Sequence, residues 1–183
     1  MIRRDFQIRW LRWALLLSLL AALAAFLLAD RYDAKSRGES YPKSNYSAIE
    51  DGLLLGGMLS ELPEGIGAVL NVGETRDCYV AKHHCWEPIA DLGPPPTVTW
   101  LRSQVEFINK HEREGTRVYV HCRAGVNRSV MVLAAYLMWR DGLTADEATE
   151  RIREKRPRAG PYEVYRAFLK EWEKELNKPP HAD

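Results

Sequence analysis

The sequence predicts an α/β domain, a central and mostly parallel sheet flanked by helices, behind an N-terminal transmembrane helix. Three observations carry that prediction. Strand-like apolar runs alternate with stretches of helical period from Ile49 onward, the pattern of helices packed on a sheet of parallel strands. The short run Gly67 to Val72 (GAVLNV) is apolar in the manner of a strand buried on both faces. Trp13 to Ala29 (WALLLSLLAALAAFLLA) passes without a single charge. The 183 residues are 46% hydrophobic and 28% charged, a balance that excludes a disordered chain and leaves room for one domain with an appendage. Lys and Arg number 26 against 25 Asp and Glu, a net charge of +1, so no nucleic-acid partner is expected. Three cysteines are too few, and of the wrong parity, for a disulfide framework.

In chain order, residues 1–12 form a basic tail and residues 13–29 the expected anchor. At a rise of about 1.5 Å per residue the uncharged run reaches roughly 25 Å, and about 30 Å with Trp10 to Arg12, the thickness of a bilayer core. A core helix would carry a polar stripe, and Ser18 alone is not one. A cleaved signal would end in small residues, whereas cleavage after Ala29 puts Leu27 at −3. Arg3, Arg4, Arg9 and Arg12 precede the run and Arg31, Lys35, Arg37 and Lys43 follow it, which is no asymmetry. The short arginine-rich tail slightly favours a cytoplasmic N-terminus and an exported domain. Residues 30–46 are polar and without apolar period, a juxtamembrane linker. The domain is expected over 47–177, with 178–183 a tail.

Within the domain, Ile49 to Leu55 followed by Gly56 and Gly57 reads as a first strand and turn, GAVLNV as the second strand, and Cys85 to Ala90 as a third that ends in the proline-rich DLGPPP. Val98, Leu101, Val105 and Ile108 recur at helical spacing, so Val98 to Glu114 is an amphipathic helix stopped by Gly115. Arg117 to Val120 is the next strand, and VMVLAAYLMW beyond it is apolar on nearly every face, a buried helix ended by Asp141 and Gly142. Thr144 and Glu147 form a capping box for the following helix, and Tyr165, Phe168, Leu169, Trp172 and Leu176 give the last helix one apolar face.

The chemistry gathers where the RVYV strand meets the buried helix. Cys122 and Arg128 enclose Arg123, Ala124, Gly125, Val126 and Asn127 on a strand-to-helix loop. Such a loop can turn its backbone N–H groups around a tetrahedral anion, helped by the unpaired amides and dipole of the helix that follows. Gly125 permits a left-handed turn, and Arg128 offers a two-pronged donor to phosphate oxygens. The same field favours the thiolate of Cys122, a nucleophile near neutral pH, and Ser129 can donate its hydroxyl to that thiolate when it leaves. Reading Cys122 as a small buried hydrophobe leaves the glycine, the arginine and their spacing unexplained.

HCRAGVNRS at His121 to Ser129 is the His-Cys-x5-Arg-Ser motif, and on it the chain resembles the cysteine-dependent protein tyrosine phosphatase superfamily, in its dual-specificity branch. The likeness runs from about Tyr46 to Leu176 and is supported by GLLLGG, VLNVGE, AAYLM and IREKRPRAGP at Ile152 to Pro161. A rhodanese-like sulfurtransferase, which also sets a cysteine in an anion loop, fits the loop length and flanks less well. The resemblance implies a protein tyrosine phosphatase-like fold and phosphomonoester hydrolysis through a phosphocysteine. It also implies an acid about thirty residues ahead of the nucleophile; Asp91, 31 residues ahead of Cys122, fits better than Asp77 or Glu87. His121 is similar to the family residue that orders the loop and helps tune the thiolate.

No cofactor is implied. Cys78, His83, His84 and Cys85 lie within eight residues with no second half elsewhere, a weak zinc pattern, so no metal is expected. In an exported domain Cys78 and Cys85 could instead pair as a disulfide. The domain is small and lacks an insertion that would deepen the pocket, so a shallow pocket admits phosphoserine, phosphothreonine, phosphotyrosine or a lipid head group. A phosphorylated protein is expected first, because the loop interior adds one cation, Arg123, where phosphoinositide phosphatases often carry more. A phospholipid is the alternative, because ADLGPPPTVTWL is similar to the arrangement in phosphatidylglycerophosphate phosphatases of the superfamily. A membrane-tethered phosphate-binding module without turnover would require the nucleophile, the arginine or the acid to be missing.

Overall fold

The structure, a computed structural model, describes Trp13, residues 16–24 and residues 41–178. The chain divides into two units, Met1–Ser40 and Tyr41–Asp183. In the first, Trp13 and residues 16–24 are helical, and their side chains are exposed. This corrects the expected single-pass anchor: among the described residues no helix is long and apolar enough to cross a membrane. Residues 16–24 at about 1.5 Å each span roughly 14 Å, half a bilayer core. The other positions of 13–29, the tail over 1–12 and the linker up to residue 40 lie outside the described residues, and the expected export of the domain, which rested on that anchor, finds no support among the described ones.

The second unit is built on a five-stranded sheet of β1 (Tyr46–Glu50), β2 (Leu53–Gly56), β3 (Ile66–Asn71), β4 (His83–Trp86) and β5 (Arg117–His121), in the order β1-β2-β5-β3-β4. The sheet is mixed. β2, β5, β3 and β4 run parallel to their neighbours, while β1 pairs antiparallel with β2. The single first strand expected over Ile49 to Leu55 is thus two strands of a hairpin. Asp51 and Gly52 make its turn, with Gly52 at φ +83°, an Asp-Gly pair of the kind two-residue hairpins favour. β4 starts and stops earlier than expected. Its register with β3 ends at Asn71 opposite Trp86, and Pro88 two residues on has no N–H to continue a ladder.

Four helices follow or interleave: α1 (Val98–Arg113), α2 (Arg128–Asp141), α3 (Ala145–Lys155) and α4 (Glu163–Leu176). Thr97 caps α1 through the Trp100 N–H at 3.1 Å. The capping box of α3 is present, with the Glu147 N–H on Thr144 Oγ1 at 3.3 Å and the Thr144 N–H on Glu147 Oε2 at 2.8 Å. α2 is buried from Arg128 to Met138 on every face. It is the axis of the core, touching the sheet, α1, α3 and α4.

Alternation along the strands divides the sheet into two apolar faces. Leu53, Leu55, Ala68, Leu70, Val118 and Val120 pack with the helices, while Leu54, Val69 and Tyr119 pack with Leu59 and Ala81 from loops on the opposite side. Residues 41–45 run beside the hairpin, where Asn45 O accepts the Gly57 N–H at 2.9 Å. β3 and β5 are central parallel neighbours, and the loops leaving their C-terminal ends face one another. Open α/β sheets place their ligands at such strand ends.

Candidate active site

The loop Cys122–Arg128 leaves β5 and enters α2. Its form is set by where its carbonyls go, because every buried backbone oxygen needs a donor. Arg123 O accepts the Met58 N–H at 3.0 Å and Val126 O the Gly160 N–H at 2.9 Å. Gly125 O accepts Arg156 Nε at 2.6 Å, and Ala124 O accepts Arg156 Nη2 at 3.0 Å and Arg158 Nη2 at 3.4 Å. Cys122 O lies 3.3 Å from His121 Nδ1. Five consecutive carbonyls are therefore held outward, which turns the loop amides the other way, into a nest for an anion. Gly125 sits at φ +67°, and a Cβ there would strike the Gly56 backbone. The GG of GLLLGG serves the same seat, since a Cβ on Gly57 would run into Arg123 O and Ala124 C.

Cys122 is buried, with 2% of its surface exposed. Burial raises its thiol, yet the Ser129 hydroxyl, the Ser129 and Gly125 N–H groups and the Arg128 charge outweigh that and bring it below the ordinary thiol range. The Ser129 Oγ donates to Sγ at 3.3 Å.

Arg128 is also 2% exposed. Its Nη1 donates to Ile89 O at 2.9 Å and to Glu74 Oε2 at 3.0 Å. Its Nε lies 3.1 Å from Asp91 Oδ1, an ion pair without hydrogen-bond alignment, so this buried N–H lacks a hydrogen-bond partner. A guanidinium with an unspent donor suits an arriving phosphoryl group.

Asp91, 42% exposed at its side chain, is brought to this loop by the DLGPPP segment. That segment is held by two elements. Arg128 takes Ile89 O, and Tyr165 of α4 donates to Ala90 O at 2.8 Å. Asn127 Nδ2 lies 3.1 Å from Asp91 Oδ1. Of the predicted site residues, the structure thus brings Asp91 against Asn127 and Arg128, and Ser129 against Cys122, with Ala124, Gly125 and Val126 supplying the loop backbone. Arg123 and Ala124 are exposed on the loop's outer turn.

Asp77 stands elsewhere. Its carboxylate is fully buried behind the loop, 3.1 Å from His121 Nε2, 2.8 Å from His84 Nε2 and 3.0 Å from Asn71 Nδ2. Burial alone would raise it, but the two histidines hold it well below the usual carboxylate range. Tyr79 OH also reaches His121 Nε2, at 3.3 Å. Cys78 and Cys85 are both free thiols. His84 is taken by Asp77, and His83 stacks on His111 at 4.5 Å between ring centroids. Among the described residues no group of three or more His, Cys, Asp or Glu side chains is placed to hold a metal.

Sequence reasoning missed Glu74, Arg156, Tyr165 and the supporting place of Asp77. Glu74 and Arg156 lie in VLNVGE and IREKRPRAGP, stretches that stood out as segments without a task for either side chain. Tyr165 read only as part of an apolar face.

Comparison with known proteins sets this geometry in a family. Residues 59–175 match the family described as dual specificity phosphatase, catalytic domain. Human dual specificity protein phosphatase 16 is 35% identical over 121 residues, 64% of this chain and 18% of that protein. Human dual specificity protein phosphatase 1 is 29% identical over 117 residues, 63% of this chain and 32% of that one. The match thus spans less than a third of either relative's length. Among solved structures, PTPMT1 in complex with PI(5)P superposes with a TM-score of 0.67 at 28% identity, covering 73% of this chain and 97% of that one. Tk-PTP in its active form gives 0.64 at 28% identity, covering 71% and 97%.

Proposed function

The chain belongs to the dual specificity phosphatase catalytic-domain family, and from that premise we propose that it hydrolyses phosphomonoesters of protein side chains through a phosphocysteine intermediate. The observation that carries this reading is a buried Cys122, its thiol lowered by the Ser129 hydroxyl and the loop amides, facing a buried Arg128 within one anion loop.

In the first step Cys122 Sγ attacks phosphorus, the P–O ester bond breaks, and the leaving oxygen takes a proton from Asp91. Arg128 and the loop N–H groups hold the non-bridging oxygens, whose charge is drawn toward the equatorial plane of the transition state. In the second step the Asp91 carboxylate takes a proton from water as its oxygen attacks phosphorus. The P–S bond then breaks, and Ser129 donates its hydroxyl to the departing thiolate. Inorganic phosphate leaves, and Cys122 and Asp91 return to their starting protonation states.

A second reading, hydrolysis of a phospholipid headgroup by the same steps, is supported by the likeness to PTPMT1, whose structure holds PI(5)P. Phosphate release by the purified full-length chain tests both. A phosphotyrosine peptide and vesicles carrying phosphatidylglycerophosphate or PI(5)P are offered in parallel, with Cys122→Ser as the blank. Faster turnover of the peptide is expected. Faster turnover of either lipid would put the second reading first, and no release from any of them beside retained binding by Cys122→Ser would make the chain a phosphate-binding module.

A further inference from the structure

We propose that Asn127 is a positioning residue for the proton donor, its side-chain amide holding the Asp91 carboxylate against the phosphate loop. The inference rests on the reading of Asp91 as the acid. Asn127 stands at the N-cap of α2, a place where an asparagine ordinarily turns its side chain onto the helix's own first amides. Here it makes no such cap bond. The side chain, on a residue only 4% exposed, reaches sideways between two other segments.

Its Oδ1 accepts the Tyr162 N–H at 2.8 Å, at the N-cap of α4. Its Nδ2 lies 3.1 Å from Asp91 Oδ1 and 3.4 Å from Asp91 O. The two ends of an amide are alike in shape, but the chemistry fixes which is which. A backbone N–H can only donate, so the end facing Tyr162 is the oxygen, and the end facing Asp91 is the NH2 group.

Two consequences follow for the acid. Asp91 Oδ1 receives the Asn127 amide and lies 3.1 Å from Arg128 Nε in an ion pair without hydrogen-bond alignment, so the aligned amide donor and the guanidinium charge fall on the same oxygen. Oδ1 is thereby kept as the acceptor, and the transferable proton resides on Oδ2. When a phosphoryl group engages Arg128, Asn127 remains on Oδ1 and preserves the direction of Oδ2. The residue just before the arginine thus links the phosphate loop, the acid segment and the entry to α4.

Leaving-group dependence in the full-length chain tests this. Protonation matters for phenyl phosphate, a poor leaving group, and much less for 4-nitrophenyl phosphate. Asn127→Ala is expected to lose at least about tenfold more kcat on phenyl phosphate than on 4-nitrophenyl phosphate, with KM moving little between them. In an Asp91→Ala background the same change should add no further leaving-group-dependent loss. Asn127→Asp keeps an acceptor for Tyr162 N–H but faces Asp91 with a second carboxylate. The two carboxylates repel, so it should melt below the parent, and a loss confined to phenyl phosphate marks the acid and not the fold. Equal losses on both substrates in the Asn127 variants, beside a selective loss in Asp91→Ala, would make Asn127 a packing residue and overturn the proposal. An Asp91→Ala enzyme with no leaving-group dependence would instead remove the acid assignment on which it rests.

Discussion

Arg156 shows how much of the proposed phosphate site can be made by a residue that does not face it. It is buried, and its guanidinium spans Gly125 O, Ala124 O and Asn45 Oδ1. The loop amides point inward because these carbonyls are satisfied outward. Arg156→Ala leaves Gly125 O without its donor, at about 1–3 kcal/mol if it stays buried, leaves Ala124 O with only the long bond from Arg158 Nη2, and lets the loop relax. The thiol of Cys122 should then titrate higher, and kcat/KM should fall by about tenfold or more. The pH dependence of iodoacetamide alkylation at Cys122 reads the first effect; an unmoved midpoint would show that the loop holds its form without the clamp. At this scale the sequence was most legible where partners are close in the chain. Cys122, Gly125, Arg128 and Ser129 stand out by spacing alone, because one loop and one helix end hold them together. Arg156 reaches Gly125 across 31 residues and Arg128 reaches Glu74 across 54. Nothing local distinguishes either partner from a solvated surface charge.

The elements divide the same way. Several helix ends were legible, since the Thr144–Glu147 box and Gly142 each mark a terminus through a local bond or a left-handed backbone; the Thr97 cap of α1 emerged only in the fold. The hairpin was not. Two short strands, fully buried in β2 and partly in β1, pass for one unless Asp51-Gly52 is read as the turn between them. The acid segment has no regular structure of its own, so its position depends on the elements that grip it, α4 through Tyr165 and the loop through Arg128. Tyr165→Phe removes the hydroxyl from Ala90 O and almost nothing else. The expected cost is about 1 kcal/mol of stability, with a few-fold loss of kcat on phenyl phosphate that 4-nitrophenyl phosphate does not share. Thermal melts and the two substrates side by side check it. A full loss of stability without a change in that ratio would mean that α4 supports the fold and not the acid.

For the molecule as a whole, the two faces of the sheet are held by different means. The helical face is an extensive apolar core, whereas the opposite face has a small cluster around Leu54, Val69 and Tyr119. Behind the phosphate loop it is tied by charge. The Asp77 carboxylate, with no exposed side-chain surface, meets His121 from β5, His84 from β4 and Asn71 from β3. The alternation of runs made the sheet and its helical cover legible. It gave no sign of this cluster, because Asp77 and the histidines come from separate segments whose register only the folded sheet sets. Its energetic mark is on pH. Asp77 titrates well below its ordinary carboxylate value in the folded chain, so the unfolded chain binds its proton first as pH falls. The stabilisation is therefore complete above the unfolded value of about 4 and is lost progressively as pH drops below it toward the folded value. Asp77→Asn keeps the shape but removes the charge that two histidines face, a change of the kind that costs about 3–5 kcal/mol in a buried pair. Urea unfolding at pH 7 should show that deficit. At pH 3 the gap between parent and variant should narrow, because the parent is then losing what the variant never had. A gap that stayed constant from pH 7 to pH 3 would place the stabilisation in packing and hydrogen bonding and not in the carboxylate's charge.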